Sequence, residues 1–237
     1  MKYKMTKQKK AFAQRLYLYL ASLFITSLVV SNLIFQKFFY WKPFELSIFG
    51  NELFELSVGI LPYPITFLIT DLISEIYGKN KANQVVIAGI FASVFSMVIV
   101  LVANYVPALE NSPINDTIFN QVFALSPIAV LASMIAYLMA QFVDIKVYHF
   151  WKNKTKGRML WLRNNFSTFS SQFIDTFLVI SLLCLFGILD WKLFWGLVLS
   201  GFLFKILVAL FDTPFLYFFV GIFRKTFDLK PNQEIEI

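Results

Sequence analysis

Residues 65–82 read ITFLITDLISEIYGKNKA, an apolar run with two carboxylates, Asp71 and Glu75, in its interior and a basic exit at Lys79 and Lys81. Placing one ionised group in hydrocarbon costs about 2.5–3.5 kcal/mol even on the lenient insertion scale. Such a run therefore persists only where its polar face meets water, a ligand or a partner group on another helix. Asp71 and Glu75 are one helical turn apart and share a face, with Thr66, Thr70 and Ser74 close by.

Five further stretches are apolar over the roughly 20 residues that a crossing needs. Together they predict helices near 15–36, 53–77, 84–106, 124–150, 164–189 and 193–223. Hydrophobic residues make up 58% of the 237-residue chain and charged ones 15%, with 29 Phe, more apolar surface than a soluble core can hide. The expected fold class is all-α: a polytopic membrane protein whose six transmembrane helices form one bundle. One membrane domain spans 1–237, with a basic stretch at 1–14 and a tail at 224–237. The run from Leu16 to Phe35 is too long for a cleaved leader and reads as the first helix.

The net charge of +7 does not point to nucleic acid, because the basic residues sit at the ends of apolar runs. The loop from Pro107 to Gln121 carries no Lys or Arg. If the N-terminus is cytoplasmic, Lys79, Lys81, Lys152, Lys154, Arg158, Arg163, Arg224 and Lys225 also fall inside, and only Lys37, Lys42 and Lys192 fall outside. By the positive-inside rule both termini are then cytoplasmic, which agrees with an even number of crossings. Two interruptions are expected, at Pro62 and Pro64 and at Pro214, where a missing N–H and a ring clash open a helix. Three helices plus three give halves of opposite orientation with the polar helix in the middle of each, which suggests a 3+3 inverted pseudo-repeat.

The second polar constellation is LWLRNNFSTFSSQFIDT at 160–176. Asn164, Thr168, Ser171 and Asp175 recur at helical spacing and form one stripe, joined by Asn165, Gln172 and Thr176. Small polar residues also serve as ordinary contacts between membrane helices, a reading that explains the Ser and Thr members better than Asp175. Lys205 lies near mid-membrane and needs a partner, either Asp175 or Asp212, for a structural pair or for a ligand contact. Gln141, Asp144 and Tyr148 share a face of the fourth helix. Glu75, close to an interface, could instead pair with Lys79 and Lys81, and Asn32 could be a packing residue or an inward polar group.

The chain holds no G-x-x-x-x-G-K-[ST], G-x-G-x-x-G or H-E-x-x-H motif, and its Cys184 and His149 are each the sole residue of their type. No enzyme, cofactor or metal site is expected, and scattered carboxylates do not make an aspartyl protease dyad.

Two of these stretches, T-D-L-x-x-E-x-Y-G-K from Thr70 to Lys79 and R-N-N-x-S-T-x-x-S-Q-x-x-D-T from Arg163 to Thr176, resemble the signatures of the queuosine precursor transporter family, also called the vitamin uptake transporter family. The resemblance implies a bacterial inner-membrane importer of 7-cyano- or 7-aminomethyl-7-deazaguanine, held in a central polar cavity with alternating access. On burial cost and spacing the candidate substrate-binding residues are Thr66, Asp71, Glu75, Gln141, Asn165, Ser171, Gln172 and Asp175, with Lys205, Asp212 and Asp144 as candidates for ion pairing or coupling. A guanine-like edge offers paired N–H donors to a carboxylate, and Trp161, Phe169 and Phe173 are candidate stacking surfaces. The implied partners are the deazapurine and the lipid bilayer, with no nucleic acid and with room for a homo-oligomer. Two other classes compete. A substrate-binding subunit of an ATP-driven vitamin importer would transport only beside an energising module, and a membrane receptor or assembly factor would show polar residues without a shared cavity.

Overall fold

In the computed structural model, residues 6–35, 37–40, 47–48, 51–52, 55–123, 127–187, 189–230 and 233–235 are described. Six helices are long and apolar enough to cross a membrane. They are α1 (Lys7–Ile34), α2 (Tyr63–Ile76, entered through a 3-10 turn at Val58–Ile60), α3 (Lys79–Asn104), α5 (Pro127–Lys154), α6 (Leu160–Leu185) and α7 (Phe194–Phe227). The shorter α4 (Asp116–Phe123) lies in the connection between α3 and α5.

The helix boundaries depart from the sequence reading in instructive places. The second helix does not begin near 53. Glu55–Ser57 is instead a strand, antiparallel to Phe38–Tyr40, and a second small ladder joins Ser47–Ile48 to Asn51–Glu52. The expected starts at 53 and 124, the end at 36, and Lys2, Lys4 and Lys42 fall outside the described residues. The connection read as polar loop forms α4, whose first turn is capped by the Asn115 side chain accepting from the Ile118 N–H at 2.9 Å. Pro214 does not break the last helix. It sits inside a continuous α7, and the hydroxyl of the preceding Thr213 donates to the Ala209 carbonyl at 3.0 Å. One lost rung in a 34-residue helix is tolerated because the rungs on either side are made. Pro62 and Pro64, by contrast, do mark a break, at the entry to α2, where a Pro in the first turn removes no intrahelical bond.

Helix α2 is the axis of the bundle. From Thr66 to Ile76 every residue except Leu68 is buried, polar and charged ones included. Around it run α1, α3, α5, α6 and α7, with α6 packed most extensively on α5 and then on α7. Close approach between α1 and α3 depends on Gly89, where a Cβ would lie 2.6 Å from the Phe24 ring. The outward faces are covered by large apolar side chains such as Phe91, Phe95, Trp195, Phe211 and Phe218, as expected of a surface solvated by lipid.

The start of α1 and the end of α7 lie at the same end of the bundle. Lys9 near the start of α1 pairs with Asp228 just past α7, the Tyr77 hydroxyl donates to the Ala13 carbonyl at 2.9 Å, and the Ile235 N–H donates to the Ile76 carbonyl at 2.8 Å. Lys152, Arg163 and Arg224 are at this end as well. The opposite end carries the strands, α4 and a short 3-10 turn at Trp191–Leu193.

Candidate functional site

Buried polar groups form a column through the bundle, and three levels can be distinguished along it. The outermost is a cavity of about 310 Å³ in the half away from the basic end. Its walls come from α1, α2, α3, α5, α6 and α7, and they are mostly apolar, with Asn32, Ser93, Tyr63, Tyr137, Asp175 and Lys205 as the polar groups that matter here. Lys205 Nζ lies 2.5 Å from Asp175 Oδ2 and 5.0 Å from the centre of the Tyr63 ring. Of the two partners open to Lys205 on sequence grounds, Asp175 is therefore the one engaged. Tyr63 and Tyr137 meet edge to face with centroids 5.5 Å apart, so two aromatic surfaces border the ion pair. The volume falls at the lower end of the range usual for small-molecule sites, and apolar walls with a few convergent polar groups are the usual lining.

The second level is fully buried. Asp71 on α2 and Asp144 on α5 face each other, and Ser171 Oγ on α6 donates to Asp144 Oδ1 at 3.0 Å. Gln141 Nε2 reaches outward to the Tyr137 hydroxyl at 2.8 Å, linking this level to the cavity. With both carboxylates ionised, Asp71 Oδ1, Asp144 Oδ2, Gln141 Oε1, Gln172 Oε1 and Ser74 Oγ are buried without a hydrogen-bond partner in the protein. Asp71 and Asp144 are within hydrogen-bonding reach of each other, so the oxygens of Gln141, Gln172 and Ser74 are the open polar capacity at this level. Beside this level a void of about 20 Å³ is lined by Thr168, Gln172, Lys205 and Asp212.

The innermost level is an ionic cluster around Glu75. Its carboxylate is fully buried and accepts from Arg163 at 2.6 Å, from Arg224 and from the Tyr148 hydroxyl at 2.9 Å, while Lys152 Nζ stands 3.7 Å away. These four partners come from α5, α6 and α7, so one side chain of α2 ties four helices together. Lys79 and Lys81, the expected partners, are adjacent in sequence only. They begin α3, and Lys81 instead stands 5.3 Å from the Tyr17 ring.

Of the eight residues expected to bind substrate, Asp175 lines the main cavity and Gln172 lines the small void. Thr66, Asp71, Gln141 and Ser171 are buried in the second level, and Thr66 Oγ1 donates to the Tyr63 carbonyl at 2.6 Å. Asn165 lies toward the basic end, its Oδ1 accepting from Thr213 at 3.2 Å and its Nδ2 donating to the Trp161 carbonyl at 2.8 Å. Trp161, Phe169 and Phe173 do not line the cavity. Trp161 and Phe173 are exposed on the outer face, because the stripe that carries Asp175 points the other way. Tyr63 and Tyr137, which do border it, were not singled out from the sequence. The available signals were Tyr63 standing between two prolines and Tyr137 one turn ahead of Gln141. Among the described residues, no group of His, Cys, Asp and Glu is arranged to hold a metal ion.

Comparison with known proteins bears on the same stretch. Residues 57–219 match the family of putative vitamin uptake transporters, a span that runs from the entry of α2 past Pro214. The chain is similar to a protein of Bacillus subtilis (strain 168) described as a probable queuosine precursor transporter, with 32% identity over 169 residues, covering 70% of this chain and 73% of that protein. No solved structure matches. With a polytopic fold, both signature stretches on its polar helices and a family match across more than half of its length, the chain belongs to the vitamin uptake transporter family.

Proposed function

We propose that this protein imports a queuosine precursor, 7-cyano- or 7-aminomethyl-7-deazaguanine, across the bacterial inner membrane, with both termini in the cytoplasm. The observation that carries this reading is the Asp175–Lys205 pair on the wall of a cavity bordered by Tyr63 and Tyr137. A deazaguanine presents adjacent N–H donors and a carbonyl on one edge and a flat aromatic face. Asp175 accepts from the donors, Lys205 donates to the carbonyl, and the two tyrosines pack on the ring. The similarity to a probable queuosine precursor transporter supports the same substrate.

The contrast along the column supports alternating access. The cavity occupies the outer half, and the Glu75 cluster closes the inner half. Movement inward passes the substrate to Asp71, Asp144, Gln141 and Gln172, where the unpartnered oxygens of Gln141 and Gln172 then find donors on it. The basic residues gathered at the end where α1 starts and α7 finishes support the cytoplasmic assignment. The opposite orientations of α1–α3 and α5–α7, with polar α2 and α6 in the middle of each triple, support an inverted pseudo-repeat within one membrane unit.

The test is uptake of labelled 7-cyano-7-deazaguanine and 7-aminomethyl-7-deazaguanine by cells lacking their own importer and synthesis. Accumulation with this chain, lost in Asp175→Asn, is the expected result. No uptake of either compound overturns the substrate assignment.

A further inference from the structure

At the basic end, where α7 finishes, residues 233–235 touch the Glu75 cluster. Glu234 Oε1 lies 2.8 Å from Lys152 Nζ, and Lys152 in turn donates to the carbonyls of Ser74 at 3.2 Å and Glu75 at 3.1 Å. One residue on, the Ile235 N–H donates to the Ile76 carbonyl at 2.8 Å, and the Ile235 side chain is buried. A carbonyl in the last turn of a helix has no partner within that helix, so Ile235 satisfies a group that α2 leaves open. Gly78, at φ +85°, lies directly under the Glu234 carboxylate, where a Cβ would collide with it. Arg224, Glu234 and Ile235 all lie beyond the span 57–219 that matches the family, while Lys152 and Ile76, which Glu234 and Ile235 contact, lie within it.

Charge explains what the contact does. Glu75 faces three cations, Arg163, Arg224 and Lys152, and one carboxylate leaves that group with an excess of positive charge in a buried place. Lys152 is the most weakly held of the three, at 3.7 Å from Glu75, and is 1% exposed. Glu234 supplies it with a second carboxylate. Unlike Glu75, Glu234 is 41% exposed and can return to water at little cost. The two acids therefore differ in kind: Glu75 is a fixed hub, and Glu234 is a releasable counter-charge.

We infer that residues 233–235 latch the cytoplasmic gate, holding α2 to α5 through Glu234–Lys152 and Ile235–Ile76 while the cavity faces outward, and that their release precedes inward opening. This rests on the reading of the chain as an alternating-access importer, but its test does not require the substrate.

The test places a reporter thiol at Ser74→Cys, a fully buried position on α2, in a Cys184→Ser background of the full chain. Labelling by a charged maleimide is then followed from the cytoplasmic side of inside-out vesicles. Glu234→Gln, which keeps the shape and removes the charge, should raise the labelling rate about fivefold, the size expected from one partly exposed ion pair. Glu234→Lys, which sets two cations against each other, should raise it further. Labelling unchanged in both variants overturns the latch. Fast labelling in variants and parent alike overturns it too, since the parent gate would then already stand open. Because no transport is measured, failure of deazaguanine uptake leaves this result standing, and failure of the latch leaves the substrate assignment standing.

Discussion

The cavity and the basic end each hold a buried carboxylate on a polar helix, yet the two are partnered differently. Asp175 has one cation, Lys205, and stands on the wall of a space. Glu75 has three cations and a tyrosine and is not among the residues that line the cavity. A single pair facing a cavity can exchange its protein partner for a ligand with similar groups, since the ligand replaces what is lost. A carboxylate shared among four helices cannot release one partner without leaving charges buried alone, a loss of about 3–5 kcal/mol. On the proposed reading, the difference separates recognition from closure within one column.

That contrast breaks most visibly at Glu75. Glu75→Gln leaves Arg163, 1% exposed, without its anion, and removes the longer of the two carboxylate contacts of Lys152. The expected loss of stability is about 3–5 kcal/mol, seen as a collapse of folded protein in detergent by fluorescence size-exclusion or thermal unfolding. A variant as stable as the parent would mean that water already reaches this level.

At Asp175 a smaller and more specific effect is expected. Asp175→Asn should cut uptake more than tenfold by removing a charge-assisted acceptor, worth about 1.5–3 kcal/mol. The double change Asp175→Asn with Lys205→Met should recover thermal stability lost in the single variant but not uptake. Recovery of both would reduce the pair to a structural role.

The aromatic border should matter less again. Tyr137→Ala should raise KM several-fold through the loss of ring contact, about 0.5–1.5 kcal/mol, and Tyr137→Phe should retain most of it while freeing the Gln141 amide. At the bottom of the scale, Phe173→Ala on the lipid-facing side should leave uptake within about twofold, because surface changes away from special features are small.

How far these features can be read in the sequence follows the same division. Crossing helices announce themselves because lipid requires long apolar runs, and Asp71, Asp144 and Asp175 stand out because acids at such depth are costly. The strands at Phe38–Tyr40 and Glu55–Ser57 do not, since three-residue pieces carry no period long enough to separate strand from helix. Pro214 reads as a break because propensity counts one residue, whereas the packed helix around it decides. Arg163 and Arg224 read as topology markers, and their convergence on Glu75 depends on four helices meeting, which no local pattern encodes. The same holds for Tyr63 and Tyr137, brought to one wall from α2 and α5.

The most direct test of the account is equilibrium binding of 7-cyano-7-deazaguanine to the purified protein in nanodiscs, comparing the parent chain with Asp175→Asn and Tyr137→Ala. Saturable binding by the parent that falls more than tenfold in Asp175→Asn and several-fold in Tyr137→Ala is the predicted result. Parent-like affinity in both variants would contradict it, because the compound would then be held somewhere other than the cavity beside Lys205.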